Sequence, residues 1–334
     1  MSTFILRKFW LGASAVAVLA SVVACGGATP PSSASSNPSA AAQSASAAKP
    51  TEVAPPADQT GGFDGAKAYD HVAKLVSFGP RPPASDALHR SQEYILAQLH
   101  ADGCDVDQDD FHASTPKGEV LMKNIVAKAP GTGQGIILLL THYDTLSSVE
   151  NFVGAEDSGS STGLMLEMAR NLCGKKGPNL VWIAFLDGEE AFVDWNQNDD
   201  HTYGSRELSA RMAVSGDLKR IKAVILADMV GQYGLVLPRD SNSTKWLTDL
   251  VWKTAARLGY KDIFVSQETA IEDDHQPFLA RGVPSVDVID LNDYITEGYW
   301  HTPQDTLDKV SPRSLAIVGY VILESVNELQ KKFH

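Results

Sequence analysis

The chain has 334 residues, 43% of them apolar, which admits one large domain or two ordinary ones with a substantial core. Its 41 acidic and 28 basic side chains give a net charge of −13. That excludes a nucleic-acid partner, because phosphate binding needs a basic face.

In chain order, the first segment reads as a secretory signal over residues 1–24. Arg7 and Lys8 are followed by a run of apolar and small residues from Phe9 to Ala24, too short and Ala-rich for a membrane span. The small residues before Cys25 resemble a bacterial lipobox. That resemblance implies a lipidated Cys25 and a membrane-anchored lipoprotein on the periplasmic side. An ordinary cleaved signal with an incidental cysteine is the alternative. Residues 25–60 are rich in Ala, Ser, Pro and Gly and lack the large side chains that would offset ordering entropy, so they read as a disordered tether. From residue 61 to 334 the composition is globular, with no second linker and no repeat.

Apolar helical spacing predicts helices over Asp86–Asp102, Ser160–Leu172, Lys245–Leu258 and Pro312–Leu329. Continuous apolar runs predict buried strands at Ile136–Leu140, Leu180–Leu186, Ala223–Ala227 and Val283–Ile289. Their alternation predicts an α/β fold with a mostly parallel mixed central sheet and helices on both faces. Cys104 and Cys173 lack the spacing of a cysteine metal site, and an exported chain permits a disulfide between them without requiring one.

Polar residues gather after the strands. His142 and Asp144 follow the first. Asp187, Glu189 and Glu190 follow the second, Asp228 ends the third, and His301 comes after the fourth. Ligand sites of open α/β sheets form at such carboxyl ends. Three carboxylates directly after an apolar strand repel one another unless a cation is present, although a solvated acidic loop is the bland alternative. Asp157 stands just before a predicted helix, where an N-cap is the ordinary role. Mixed histidine and carboxylate donors suit zinc with an open position. Ser158, Ser160 and Ser161 form no nucleophile elbow, and Gly131–Gly135 precede a strand, so neither suggests serine or nucleotide chemistry.

His142, Asp157, Glu189-Glu190, Asp228 and His301 appear in the order and context of the M28 zinc peptidases, and the chain resembles that family from about Phe78 onward. The resemblance implies a three-layer sandwich. It implies one zinc on Asp157, Glu190 and His301, and in di-zinc members a second on His142 and Asp228 with Asp157 bridging. Glu189 matches the general acid/base. Three stretches are similar to the animal-type glutaminyl-peptide cyclotransferases. They are Asp187-Gly188-Glu189-Glu190-Ala191-Phe192 with Trp195 and Tyr203-Gly204-Ser205-Arg206, then Ile271-Glu272-Asp273-Asp274-His275, then Trp300-His301-Thr302. This implies conversion of N-terminal glutamine to pyroglutamate on peptides and proteins. Trp195 and Trp300 would wall the substrate pocket, and Asp228 and Asp273 would form an acidic network around Glu189.

The chain departs from those relatives. Thr141 and Thr162-Gly163 stand where they carry a cysteine pair, Asp287 where a substrate-binding histidine is expected, and Asp290 to Gly298 aligns poorly. Two other readings stay open: a di-zinc aminopeptidase, and a non-catalytic surface lipoprotein that keeps the fold for binding.

Overall fold

A computed structural model describes residues 53–334, apart from 198 and 292–296. The signal segment, Cys25 and most of the tether lie outside the described residues. The folded part begins somewhat ahead of residue 60: Ala57–Gln59 form a 3-10 turn and Thr60 is fully buried.

The strands are β1 (Asp105–Thr115), β2 (Gly118–Ala129), β3 (Ile136–His142), β4 (Leu180–Leu186), β5 (Ile221–Asp228), β6 (Leu237–Asp240), β7 (Phe264–Thr269) and β8 (Ser285–Ile289). Six form one sheet in the order β1-β2-β4-β3-β5-β8. The four strands β4, β3, β5 and β8 run parallel, while β1 and β2 add an antiparallel edge. β6 and β7 make a separate parallel pair.

The helices are α1 (Gly65–Val76), α2 (Asp86–Ala101), α3 (Ser161–Leu172), α4 (Tyr203–Ser215), α5 (Lys245–Arg257), the single turn α6 (Gln276–Leu279) and α7 (Pro312–Lys332). Side chains alternate across each strand, so the sheet feeds two cores. Ile137, Leu139, Ile183 and Ile225 pack against α1, α2, α3, α5 and α7. Leu138, Leu140, Ala184 and Leu226 face the other way, toward α4 and Phe278 of α6. Every residue of β3 is buried, as expected of a central parallel strand covered on both faces. Fully burying one such leucine or isoleucine contributes about 1.5–3 kcal/mol.

The four predicted strands and four predicted helices are all present, with ends moved by at most three residues. Absent from the sequence reading are α1, α4, α6, the β1–β2 hairpin and the β6–β7 pair. β1 is an edge strand whose exposed positions are polar or acidic (Asp105, Gln108, Asp110, His112 and Ser114), so it lacks the apolar run that marks the central strands. Cys104, just after α2, and Cys173, at the end of α3, form a disulfide with Cα atoms 5.0 Å apart.

Candidate active site

β3, β4 and β5 are parallel neighbours, so their carboxyl ends lie at one edge of the sheet. His142 is the last residue of β3 and Asp228 the last of β5, while β4 delivers Asp187, Glu189 and Glu190. Gly188, at φ +69°, makes the turn out of β4. The three carboxylates then part company. Asp187 turns back to accept hydrogen bonds from Lys123 N (2.9 Å) and the Tyr143 hydroxyl (3.3 Å), tying β4 to β2. Glu189 and Glu190 face a cavity of about 610 Å³.

Asp157 reaches the same cavity from the segment before α3. Its approach depends on Gly154, at φ +51°, where an added Cβ would lie 1.9 Å from the Asp157 carbonyl oxygen. Three interactions hold this segment. The fully buried Arg81 donates to the Val153 (2.7 Å) and Gly154 (2.9 Å) carbonyls. The Asp305 carboxylate accepts from Glu156 N (2.8 Å) and Asp157 N (3.1 Å). Ser158 Oγ donates to the Asp144 carbonyl at 2.7 Å. Asp157 is therefore no helix cap, since its side chain points to two histidines.

The two Asp157 oxygens each face an imidazole. Oδ1 lies 3.2 Å from His142 Nε2, and Oδ2 lies 3.2 Å from His301 Nε2. Glu190 Oε1 is 3.3 Å from His301 Nε2, and Asp228 Oδ1 is 3.1 Å from His142 Nε2. Two donor sets result, Asp157–Glu190–His301 and His142–Asp157–Asp228, with Asp157 common to both. Both fit zinc. Donors on a tetrahedral ion with bonds of about 2.0–2.1 Å stand about 3.3 Å apart, and each histidine is 3.1–3.3 Å from its two carboxylates, with every donor of a set within 4.8 Å of the others.

Asp144 holds the double glutamate in place: its carboxylate accepts from Glu189 N (3.1 Å) and Glu190 N (3.3 Å). Thr141 and Thr162, at the places of the relatives' cysteines, both donate to the His142 carbonyl, at 3.0 and 2.7 Å. The Thr162 bond connects α3 to β3, and the Thr141 bond is local to β3. Asp273 lines the cavity, buried, and accepts from Asp274 N at 2.5 Å. Asp287 is fully buried in β8 and is not among the residues lining the cavity; its Oδ2 lies 3.9 Å from His275 Nδ1. Trp195 and Trp300 both line the cavity, half-buried. Trp195 stacks on His201 with ring centres 4.1 Å apart, and Trp300 on His301 at 3.7 Å. Three non-glycine residues around the site, Thr202, Met229 and His301, hold positive φ, a strain that concentrates at functional sites.

The electrostatics follow from burial. Burial pushes the Glu189 carboxyl well above its usual range; His142 opposes this, while Glu190, Asp273 and Asp274 reinforce it. Burial and Asp157 raise Glu190 to about 7 against the pull of His301. Burial works against charged Asp157, but hydrogen bonds from both histidines outweigh it and hold Asp157 below the usual carboxylate range. Burial likewise opposes charge on His301, yet Glu190 and Asp157 raise it to about 10. Burial pushes Asp273 well up, helped by Asp228 and Asp274. Without a cation, the two imidazoles are the positive charges that hold this cluster of acids together.

Of the residues singled out in the sequence, His142, Asp157, Glu189, Glu190, Trp195, Asp228, Asp273, Trp300 and His301 are therefore brought together at this one edge of the sheet, whereas Asp187 and Asp287 do not line the cavity. Asp144, Asp305 and Arg81 were given no role there. Asp144 carried a signal, two residues after His142 at a strand end, whereas Asp305 is a lone acid in a polar loop and Arg81 carried none.

Comparison with known proteins agrees with this geometry. The sequence pattern of peptidase family M28 matches residues 124–326. A glutaminyl cyclase structure from an Acidobacteriales bacterium is 38% identical, with a TM-score of 0.77, over 81% of this chain and 96% of that one. The glutaminyl-peptide cyclotransferase of Drosophila melanogaster is 30% identical over 68% of this chain and 72% of that protein. A Zn-dependent exopeptidase from Parabacteroides distasonis is 27% identical, with a TM-score of 0.72, over 78% of this chain and 97% of that one. The chain belongs to peptidase family M28 and, within it, to the glutaminyl-peptide cyclotransferases.

Proposed function

We propose that the chain is a zinc-dependent glutaminyl-peptide cyclotransferase that converts N-terminal glutamine to pyroglutamate and releases ammonia. The observation that carries this reading is the placement of Glu189. It lines the cavity together with Asp157, Glu190, His301, Trp195 and Trp300, and is outside both donor sets.

Asp157, Glu190 and His301 would hold the zinc. When bound, it supplies a Lewis acid that polarises the side-chain amide carbonyl. The chain's own residues do the rest. Trp195 and Trp300 confine the glutamine so that its side chain folds back on its α-amine, which makes ring closure a matter of positioning. The amine nitrogen forms a bond to the amide carbon while the bond to the amide nitrogen breaks. Glu189 takes a proton from the amine and returns it to the departing nitrogen, which leaves as ammonia. Burial raises the proton affinity of Glu189, as a group that takes up a proton in the reaction requires. Asp273 acts on Glu189 directly and Asp228 acts on Asp273, so the two acids form the network that borders the amine and tunes Glu189.

One observation favours a second reading, a di-zinc aminopeptidase: the set His142–Asp157–Asp228 is as well formed as the first. Zinc-loaded protein incubated with peptides beginning in Gln and in Leu separates the two. Loss of ammonia with peptide length unchanged, at one zinc per chain by elemental analysis, is the expected result. A product shortened by one residue, with two zincs, would replace the cyclase reading by the peptidase.

The export signal and a lipidated Cys25 complete the proposal, as the anchor of a periplasmic enzyme. Their support is the sequence of residues 1–25 alone. Mass spectrometry of the full chain from a membrane fraction tests it, and an unmodified Cys25 would exclude the anchor.

A further inference from the structure

A second cavity of about 790 Å³ adjoins the first. The two share Glu272 and Asp273 as a common wall. The rest of the partition is the Trp195–His201 stack, with Trp195 lining the first cavity and His201 the second. A peptide whose N-terminal residue fills the first cavity must continue out of it, and crossing this partition leads into the second.

The second cavity carries two arginines, Arg206 and Arg281. Five other arginines of this chain of net charge −13, Arg170, Arg211, Arg220, Arg239 and Arg257, meet a carboxylate. These two do not among the described residues. Arg206 donates to the Thr202 (3.4 Å) and Asp199 (2.8 Å) carbonyls, and Arg281 to the Pro277 carbonyl at 3.1 Å. Arg281 holds only a backbone carbonyl, and Arg206 two carbonyls and the face of the Tyr203 ring at 4.7 Å, so both guanidinium groups keep donors for a carboxylate. Glu272, exposed at the junction, repels an acidic side chain at the crossing itself.

Resting on the cyclotransferase reading, we propose that the second cavity is a subsite for the peptide stretch beyond the N-terminal glutamine. There Arg206 and Arg281 take a carboxylate, either from an acidic side chain or from the C-terminus of a short peptide. The residue next to glutamine crosses at Glu272 and is selected against acid. The residues that follow it, each advancing an extended chain by about 3.3–3.6 Å, meet the arginines.

The test is a kinetic series on the zinc-loaded enzyme. Gln-Ala-Ala-Ala-amide is compared with the same peptide carrying Asp at position two, three or four, and with Gln-Ala-Ala as amide and as free acid. Asp at position three or four should lower KM about 2- to 5-fold per arginine engaged, the size of an exposed ion pair, and the gain should fade with added salt. Asp at position two should raise KM. The free acid against the amide shows whether a C-terminal carboxylate serves as well. Arg281→Gln should abolish its share of the gain and leave the all-alanine peptide unchanged. Arg206→Gln should do the same, but it also releases the Asp199–Thr202 turn next to His201, so Arg281→Gln is the cleaner variant. Equal KM for all the peptides, or an equal loss on acidic and neutral peptides in Arg281→Gln, would overturn the subsite while leaving the cyclase reading intact. No cyclisation of even the all-alanine peptide would sink both.

Discussion

Glu189→Gln isolates one proton-transfer group. The change is nearly isosteric and removes the charge together with the ability to take up a proton. Glu189 Oε2 lies 3.7 Å from His142 Nδ1, and Glu189 is outside both donor sets, so the variant should bind as much zinc as the parent. Loss of a general acid/base costs about 10²–10⁴ in rate. That corresponds to about 2.7–5.5 kcal/mol of transition-state stabilisation. Stability should not fall, because burial and the neighbouring acids Glu190, Asp273 and Asp274 already disfavour the charge that the substitution removes. The assay has three readouts: ammonia release from a Gln peptide, zinc by elemental analysis, and the thermal midpoint. Retained turnover would remove Glu189 from the chemistry. Lost zinc would make it a ligand and refute the division of roles.

Three further outcomes follow from the same geometry. Protein stripped of metal by a chelator should lose stability as pH rises. Glu190 goes from 4.5 unfolded to about 7 folded, and His301 from 6.5 to about 10, so the folded state binds more protons and the stability they bring is lost from about pH 4.5 upward. Denaturant midpoints at pH 5, 7 and 9 check this; zinc should flatten the slope, and a rise with pH would show the sign to be wrong. Cys104→Ser with Cys173→Ser should cost about 4 kcal/mol by loop-closure entropy for a separation of 69 residues, with turnover per folded molecule unchanged. An unaltered urea midpoint would mean that the bridge adds nothing. Arg81→Met should destabilise by about 3–5 kcal/mol and weaken zinc binding, because the Val153 and Gly154 carbonyls lose their donor and Asp157, Asp144 and Asp305 lose a counter-charge. Intact zinc affinity in a folded Arg81→Met protein would separate this buried cation from the site.

The local patterns of the chain determined much of this. Continuous apolar runs such as Leu180–Leu186 can only be strands buried on both faces, and the polar residues directly after them are placed at the sheet's carboxyl edge by chain connectivity. His142, Glu189, Glu190 and Asp228 were legible for that reason, being at or next to a strand end. Asp157 and His301 were legible only through family resemblance, because a carboxylate before a helix and a histidine in a loop have ordinary roles.

Other features exist only in three dimensions. That Asp187 turns away while Glu189 and Glu190 face inward depends on Lys123 N and Tyr143, residues distant in sequence. The pairing of Cys104 with Cys173 depends on the helix ends that carry them meeting beside the sheet. Asp305 and Arg81 carry no local signal, yet they fix the backbone that aims Asp157. Periodicity and composition record how each segment meets water, which makes elements and strand ends readable. Burial next to a particular partner is decided by packing, and with it the charge on each acid and histidine of the site.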